Sequence, residues 1–246
     1  MVEIRTRDDV SLDEPVLIEG MPGVGLVGKI AADHVVEQLD MIEYGEVVFE
    51  GPPTAVMFDG DDRGVKSAVR LFADPDTDVV VLQSAIPFEV VQGGPFVTSF
   101  TEWVEENDVL PIYLSGVAAE TEPGEQSEIH GLATGDAAGL LDDADVAPPA
   151  SKGLIQGPGG AFLFGAKERG VDSVGLMVES DPRFPDPLGA KTLIDKGIES
   201  IADVAVDTDR LVEEAEQIRE QREELMQRLQ QATEEGQGVS TRGMYQ

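Results

Sequence analysis

Residues 16–39 read VLIEGMPGVGLVGKIAADHVVEQL. Val16 to Glu19 is a short apolar run that predicts a buried strand. GMPGVGLVG follows as a glycine turn, and Ile30 to Leu39 continues with apolar residues at helical spacing. This strand, turn and helix open an α/β unit, and the pattern recurs outward from it. Glu46 to Phe49 and Ala55 to Phe58 are strand candidates separated by a Gly-Pro-Pro break, and Val65 to Phe72 is another. Asp78 to Gln83 (DVVVLQ) is the continuous apolar run of a strand covered on both faces. Phe96 to Glu106 predicts a helix, with Phe96, Phe100 and Trp103 on one face as core. Leu110 to Leu114 predicts a strand, Ala161 to Arg169 a helix, Val174 to Val178 a strand and Pro187 to Ile201 a helix. The expected fold is a layered α/β domain over residues 1–206 with a mixed or mostly parallel sheet.

An internal echo runs through the chain. Ile18 to Lys29 (IEGMPGVGLVGK) and Ile155 to Lys167 (IQGPGGAFLFGAK) both read as strand, Gly-Pro-Gly turn and apolar helix start. Residues 118–152, dominated by Gly, Ala, Asp, Glu and Pro, read as loop plus a short helix from Gly135 to Leu141. From Asp207 the character changes. Asp207 or Thr208 can cap a helix over 207–235. Leu211, Ala215, Ile218, Arg222, Leu225 and Leu229 form a short heptad seam with an arginine inside it. Gly236 and Gly238 end that helix, and residues 236–246 form a flexible tail.

The chain has 246 residues, with 17 Lys and Arg against 49 Asp and Glu, a formal charge of −32. Phosphate backbones and anionic bilayers call for a basic face, so neither nucleic acid nor a membrane surface is an expected partner. No apolar run reaches the length of a spanning helix, and MVEIRTRDDV lacks the layout of a secretory signal. With no cysteine, disulfides and thiolate chemistry drop out. The expectation is a cytoplasmic protein. The acidity is spread along the whole chain and only six basic residues are Lys. This matches a surface adapted to a high-salt cytosol, where charge repulsion is screened; capture of a basic partner is the other reading.

Gly23, Gly25 and Gly28 spell G-x-G-x-x-G after a strand and at a helix start, with Glu50 22 residues further on. Gly23 to Lys29 also spells G-x-x-x-x-G-K, but Ile30 stands where a P-loop has Ser or Thr. The Mg²⁺-ligating hydroxyl is therefore missing, and VVVLQS offers no acidic strand end. Gly23, Gly25, Gly28 and Lys29 are candidates for an anion or ligand turn; equally, a tight strand-to-helix turn needs glycines for positive φ and close packing. Other chemistry is thin. His34 reads as a residue on the surface of the first helix, and Ser127, Glu128 and His130 crowd one loop, a poor frame for a catalytic triad. Asp61-Asp62 and Asp142-Asp143 read as acidic surface, and no zinc ligand set emerges. No catalytic residue, metal or cofactor is expected.

The sequence stops at Met244-Tyr245-Gln246, a hydrophobic residue, a tyrosine and any residue, then the carboxylate. Carried on a glycine-containing tail after a long helix, these residues are presented away from the body, and capture of a terminal carboxylate with an aromatic anchor is a known recognition mode.

Residues 16–39, GLIQGPGGAFLFGAKERG at 153–170 and MVES at 177–180 together resemble the proteasome assembly chaperone family in its archaeal form, homologous to eukaryotic proteasome assembly chaperone 2. The resemblance implies an α/β domain similar in layout to nucleoside phosphorylases, no established catalytic activity and homo-oligomers. In some archaeal members a C-terminal hydrophobic-Tyr-any motif docks between adjacent α-subunits of the proteasome core particle. Met244, Tyr245 and Gln246 match it by type and position. The resemblance then implies that the Gln246 carboxylate pairs with a pocket lysine, that Tyr245 anchors by its ring and hydroxyl, and that Met244 fills an apolar cleft. An ATP-independent assembly chaperone or gate-opening activator is the implied function. The rivals are a nucleotide- or phosphate-binding protein or enzyme using the turn at Gly23 to Gly28, and an oligomeric scaffold with an inert tail.

Overall fold

A computed structural model describes residues 2–51, 55–58, 63–87, 93–119 and 127–221. In chain order the strands are β1 (Val2–Thr6), β2 (Val16–Gly20), β3 (Ile42–Phe49), β4 (Val56–Met57), β5 (Lys66–Ser67), β6 (Val69–Asp74), β7 (Val79–Ser84), β8 (Leu110–Ala118), β9 (Ile129–Thr134) and β10 (Ser173–Ser180). The helices are α1 (Val27–Gln38), α2 (Gly93–Glu106), α3 (Ala138–Asp143), α4 (Gly157–Arg169), α5 (Pro187–Leu193) and α6 (Glu199–Ala202), the last two joined by a π-helical turn at Ile194–Ile198. A further helix, α7, is described over residues 209–221.

Eight strands form one sheet in the order β1-β3-β6-β7-β2-β8-β10-β9, and β4 and β5 pair as a separate ribbon. The four central strands β7, β2, β8 and β10 are parallel to one another, and their neighbours on either flank pair antiparallel. Successive residues of the central strands point to opposite faces, and both faces are covered. Ile18, Val81, Ile112, Leu114 and Leu176 pack with α1, α3, α5 and the π-helical turn. Leu17, Val80, Leu82 and Tyr113 pack with α2 and α4. On that second face Phe96, Phe100, Trp103 and Phe162 interlock, with centroid spacings of 5.5 Å for Phe96–Phe162 and 5.3 Å for Phe100–Phe162. The α/β layering and the aromatic core are those expected from the sequence.

The helix ends follow local chemistry. Pro187 opens α5 behind Asp186, whose Oδ1 accepts from the Gly189 N–H at 2.8 Å. Gly170, at φ 72°, closes α4 in the left-handed conformation.

Several elements differ from the sequence reading. β1 and β9 are both sheet edges that it did not contain; β9 lies inside residues 118–152, expected as loop. An edge strand carries a weaker apolar signal, and of the two buried positions of β9, Ile129 and Gly131, the second has no side chain and is covered by Leu141 and Val146. Val65 to Phe72 divides, because β5 pairs with β4 while β6 enters the main sheet. Gly153 to Ile155 is irregular rather than a strand, so the second glycine turn is not a strand-to-helix turn. The two turns nevertheless meet the same strand. A Cβ added at Gly28 would lie 3.0 Å from Leu114 Cβ, and one at Gly159 would lie 2.2 Å from Ser115 Oγ. Leu114 and Ser115 are neighbours on β8 facing opposite ways, so the starts of α1 and α4 press on β8 from its two faces.

Gly116 of β8 closes this contact: a Cβ there would stand 2.3 Å from the Val24 carbonyl oxygen, a backbone atom. Gly116→Ala is expected to destabilise by about 1–3 kcal/mol through overpacking. Gly139→Ala, on exposed α3 with open space around the new methyl, is expected to be neutral or stabilising by up to ~1 kcal/mol. Thermal melts of the two variants should move in opposite directions or differ by at least the overpacking cost.

Candidate functional site

The glycine turn sits at the carboxyl end of β2. Gly23 is extended, while Gly25 (φ 61°) and Leu26 (φ 53°) are both left-handed, a conformation free for glycine and costly for leucine. The Leu26 N–H donates to the Gly23 carbonyl at 3.1 Å and the Val27 N–H to the Val24 carbonyl, so both amides are engaged within the turn. A Cβ at Gly25 would fall 2.0 Å from Ser180 Oγ, and the Gly25 carbonyl accepts from the Asp186 N–H at 2.9 Å. Lys29 Nζ donates to Asp33 Oδ2, one helical turn on, at 2.7 Å. Gly23, Gly25, Gly28 and Lys29 are thus brought together between β8, Ser180 and Asp186, where close packing and positive φ account for Gly25 and close packing for Gly28.

Beside the turn lies a feature the sequence reading passed over. Glu19 of β2 and Tyr113 of β8 are register partners on adjacent parallel strands, both fully buried on the α2/α4 face. The chain leaves β2 through α1 on one face and rejoins the parallel set at β7; from β7 it crosses by α2 on the other face to β8. The β2–β8 boundary, where the strand order reverses, is the usual ligand crevice of an open α/β sheet. Glu19 Oε1 accepts from the Met21 N–H at 2.7 Å, but Glu19 Oε2 and Tyr113 Oη have no hydrogen-bonding protein partner among the described residues. Tyr113 stacks on Phe162 with centroids 5.4 Å apart and planes 7° from parallel. Burial pushes the Glu19 carboxyl up to about 8, against the opposing pull of the Met21 and Leu114 backbone N–H groups. Burial also raises the Tyr113 phenol, and the nearby Glu19 charge adds to it. A glutamate inside an otherwise apolar strand run was the available signal.

His34 is not on the helix surface as expected. It is 2% exposed, and its Nε2 donates to the Asp207 carbonyl at 2.6 Å. His130 lies on β9 opposite Met177, and the Ser127 hydroxyl donates to the Glu179 carbonyl at 2.7 Å, so the three residues of the 127–130 loop form no relay. Asp142 and Asp143 are exposed on α3, and among the described residues no cluster of metal-ligating side chains occurs. No helix among them is long and apolar enough to cross a membrane. Met244, Tyr245 and Gln246 lie outside the described residues, as do Asp61 and Asp62.

The raised Glu19 carboxyl makes stability depend on pH. The folded state holds this proton more tightly than the unfolded chain, so its contribution is full below about pH 4.5 and is lost as pH rises through about 8. The loss is on the order of a few kcal/mol. Glu19→Gln should remove it: melting temperature should fall from pH 5 to pH 9 in the parent chain and stay flatter in the variant. Parallel curves would show that Glu19 is not the titrating group.

The chain is 26% identical over 221 residues to the uncharacterized protein MJ0106 of Methanocaldococcus jannaschii, covering 88% of this chain and 87% of that protein. Its fold is similar to that of Pyrococcus furiosus PbaA, an archaeal homolog of proteasome-assembly chaperone. The TM-score is 0.76 at 22% identity, over 95% of this chain and 100% of that one. It is also similar to P. furiosus PbaB, an archaeal proteasome activator, with a TM-score of 0.72 at 21% identity over 93% and 98% of the two chains. The family model that matches, over residues 17–226, is that of the PAC2 family, and it takes in the glycine turn, every central strand and the start of α7. The chain belongs to the PAC2 family.

Proposed function

We propose that this protein is an ATP-independent, homo-oligomeric chaperone or activator of the proteasome that docks its C-terminal tail between α-subunits of the 20S core particle. The observation that carries the reading is the conjunction of a PAC2 body with the ending Met244-Tyr245-Gln246. Likeness to PbaA and PbaB supports the proteasome as the partner. In this reading residues 1–206 are the body, 207–235 an arm and 236–246 the docking tail. Gln246 supplies the carboxylate, Tyr245 the aromatic anchor and Met244 an apolar contact. In this reading the turn at Gly23 to Lys29 is scaffold, supported by the close approach of Ser180 to Gly25 and by the Asp186 N–H that donates to the Gly25 carbonyl. The charge of −32 suits a cytosol of high salt, in which like-charged subunits associate because repulsion is screened.

A single tail binds weakly, because a flexible peptide is ordered for few contacts. Several tails facing a ring of equal pockets gain through effective concentration, by roughly 10²–10⁴ over one tail. Co-sedimentation with a core particle in multimolar KCl tests this. The full-length chain should bind, a chain ending at Gly243 should not, and the melting temperature of the body should be the same in both. Equal binding by the truncated chain would reject tail docking.

A further inference from the structure

The start of α7 is held by a set of polar contacts that none of the preceding functions uses. Coming out of α6, Val206 N–H donates to Glu199 Oε1 at 2.7 Å, and Val204 and Val206 are buried. The next carbonyl, that of Asp207, accepts from His34 Nε2 on α1. The hydroxyl of Thr208, 7% exposed, lies between two charges: it accepts from Lys191 Nζ at 2.6 Å and donates to Asp195 Oδ1 at 2.9 Å. Lys191 and Asp195 are themselves an ion pair, linking α5 to the π-helical turn. Asp207 Oδ1 then accepts from the Asp209 N–H at 2.9 Å, capping α7. Arg210 pairs with Glu37 of α1, and Leu211, 1% exposed, enters the core beside α1 and α5. Beyond Leu211 no described residue of α7 is fully buried: 212, 214, 215 and 218 are half-buried, and 216, 217, 219, 220 and 221 are exposed.

Leu211 alone would hold α7 in place but not in direction, because apolar contact has no preferred angle. The polar contacts add direction. They come from α1 on one side and from α5 with the π-helical turn on the other, and those made by His34 and Thr208 are buried, where salt screens them little. A helix fixed at its root from two elements keeps one axis.

We propose that His34, Lys191, Asp195 and Thr208 form a clamp that fixes the direction in which the C-terminal arm leaves the body, and so act as positioning residues for the docking tail. The functional half of this proposal rests on the tail-docking reading above. Restricting the volume that each tail explores raises its effective concentration where the geometry matches and abolishes the gain where it does not.

The chain has no cysteine, so spin labels can be placed without background. Full-length Asp142→Cys/Glu220→Cys, diluted with unlabelled chain, reports the distance between body and arm by double electron–electron resonance. The parent should give a narrow distribution. His34→Leu/Thr208→Val, which removes the donor to Asp207 and the hydroxyl between Lys191 and Asp195, should widen it about twofold and lower core-particle affinity about tenfold. His34→Gln/Thr208→Ser should restore both, and a free peptide of residues 236–246 should give the same inhibition constant whichever variant it displaces. Thr208→Val alone, the milder change, should widen the distribution partway and serves if the double variant does not fold. An unchanged width would overturn the clamp, and a widened arm with unchanged affinity would overturn its positioning role. If the parent chain and the chain ending at Gly243 bind alike, the docking reading fails instead, and the distance measurement still decides whether the clamp exists.

Discussion

Two helices start within van der Waals reach of the same strand. α1 and α4 press on β8 from its two faces, with Gly28 against Leu114 and Gly159 against Ser115, while Gly116 lets the turn at Val24 lie on the strand itself. No side chain larger than hydrogen fits these three positions without displacement. The parallel centre of the sheet depends on this approach, because it sets how near the helices come and therefore how completely Ile112, Tyr113 and Leu114 are covered. It also gives the glycine-rich turn a physical cause. Of the three glycines that match a phosphate-binding fingerprint, Gly28 is set by the distance between a helix and a strand and Gly25 by its positive φ and the approach of Ser180, while Gly23 is extended with open space beside it; the Gly25 carbonyl accepts from the Asp186 N–H.

The same β2–β8 boundary carries a costly residue of the core, Glu19. A carboxyl with one oxygen unpartnered by the described chain, beside a phenol in the same condition, is expensive in a low-dielectric interior. Around it, the Tyr113–Phe162 stack and the aromatic cluster on α2 and α4 supply apolar burial. Glu19 is tolerated because it stays protonated over much of the pH range and because the Met21 N–H reaches it. Its place at the point where the strand order reverses, rather than its chemistry alone, sets it apart from the exposed carboxylates.

Those exposed carboxylates dominate the surface, and most of the ion pairs they make are half open to solvent, where salt screens them. At the root of α7, Arg210–Glu37 is such an open pair, but two other contacts there are of another kind. His34 and Thr208 are buried, and each ties the root of α7 to a different element, His34 from α1 and Thr208 to Lys191 of α5.

Much of the fold was legible in residues whose signal is local. VLIEG followed by glycines and an apolar helix, the continuous run of β7, and the spacing of Phe96, Phe100 and Trp103 each satisfy a period set by one element's own geometry. The order Met244-Tyr245-Gln246 is likewise read from the sequence by itself. The edge strands β1 and β9 were not legible, because a strand paired on one side needs little apolar surface and its partner lies elsewhere in the chain. Nor was the burial of His34, which a helix-face reading left in solvent until the segment from Val204 to Leu211 folded over it. Periodicity determined which elements form and which face of each is apolar. Only the tertiary structure decided what covers that face, because burial, unpartnered groups and the anchoring at the root of α7 depend on residues brought together from separate elements, as far as 173 positions apart.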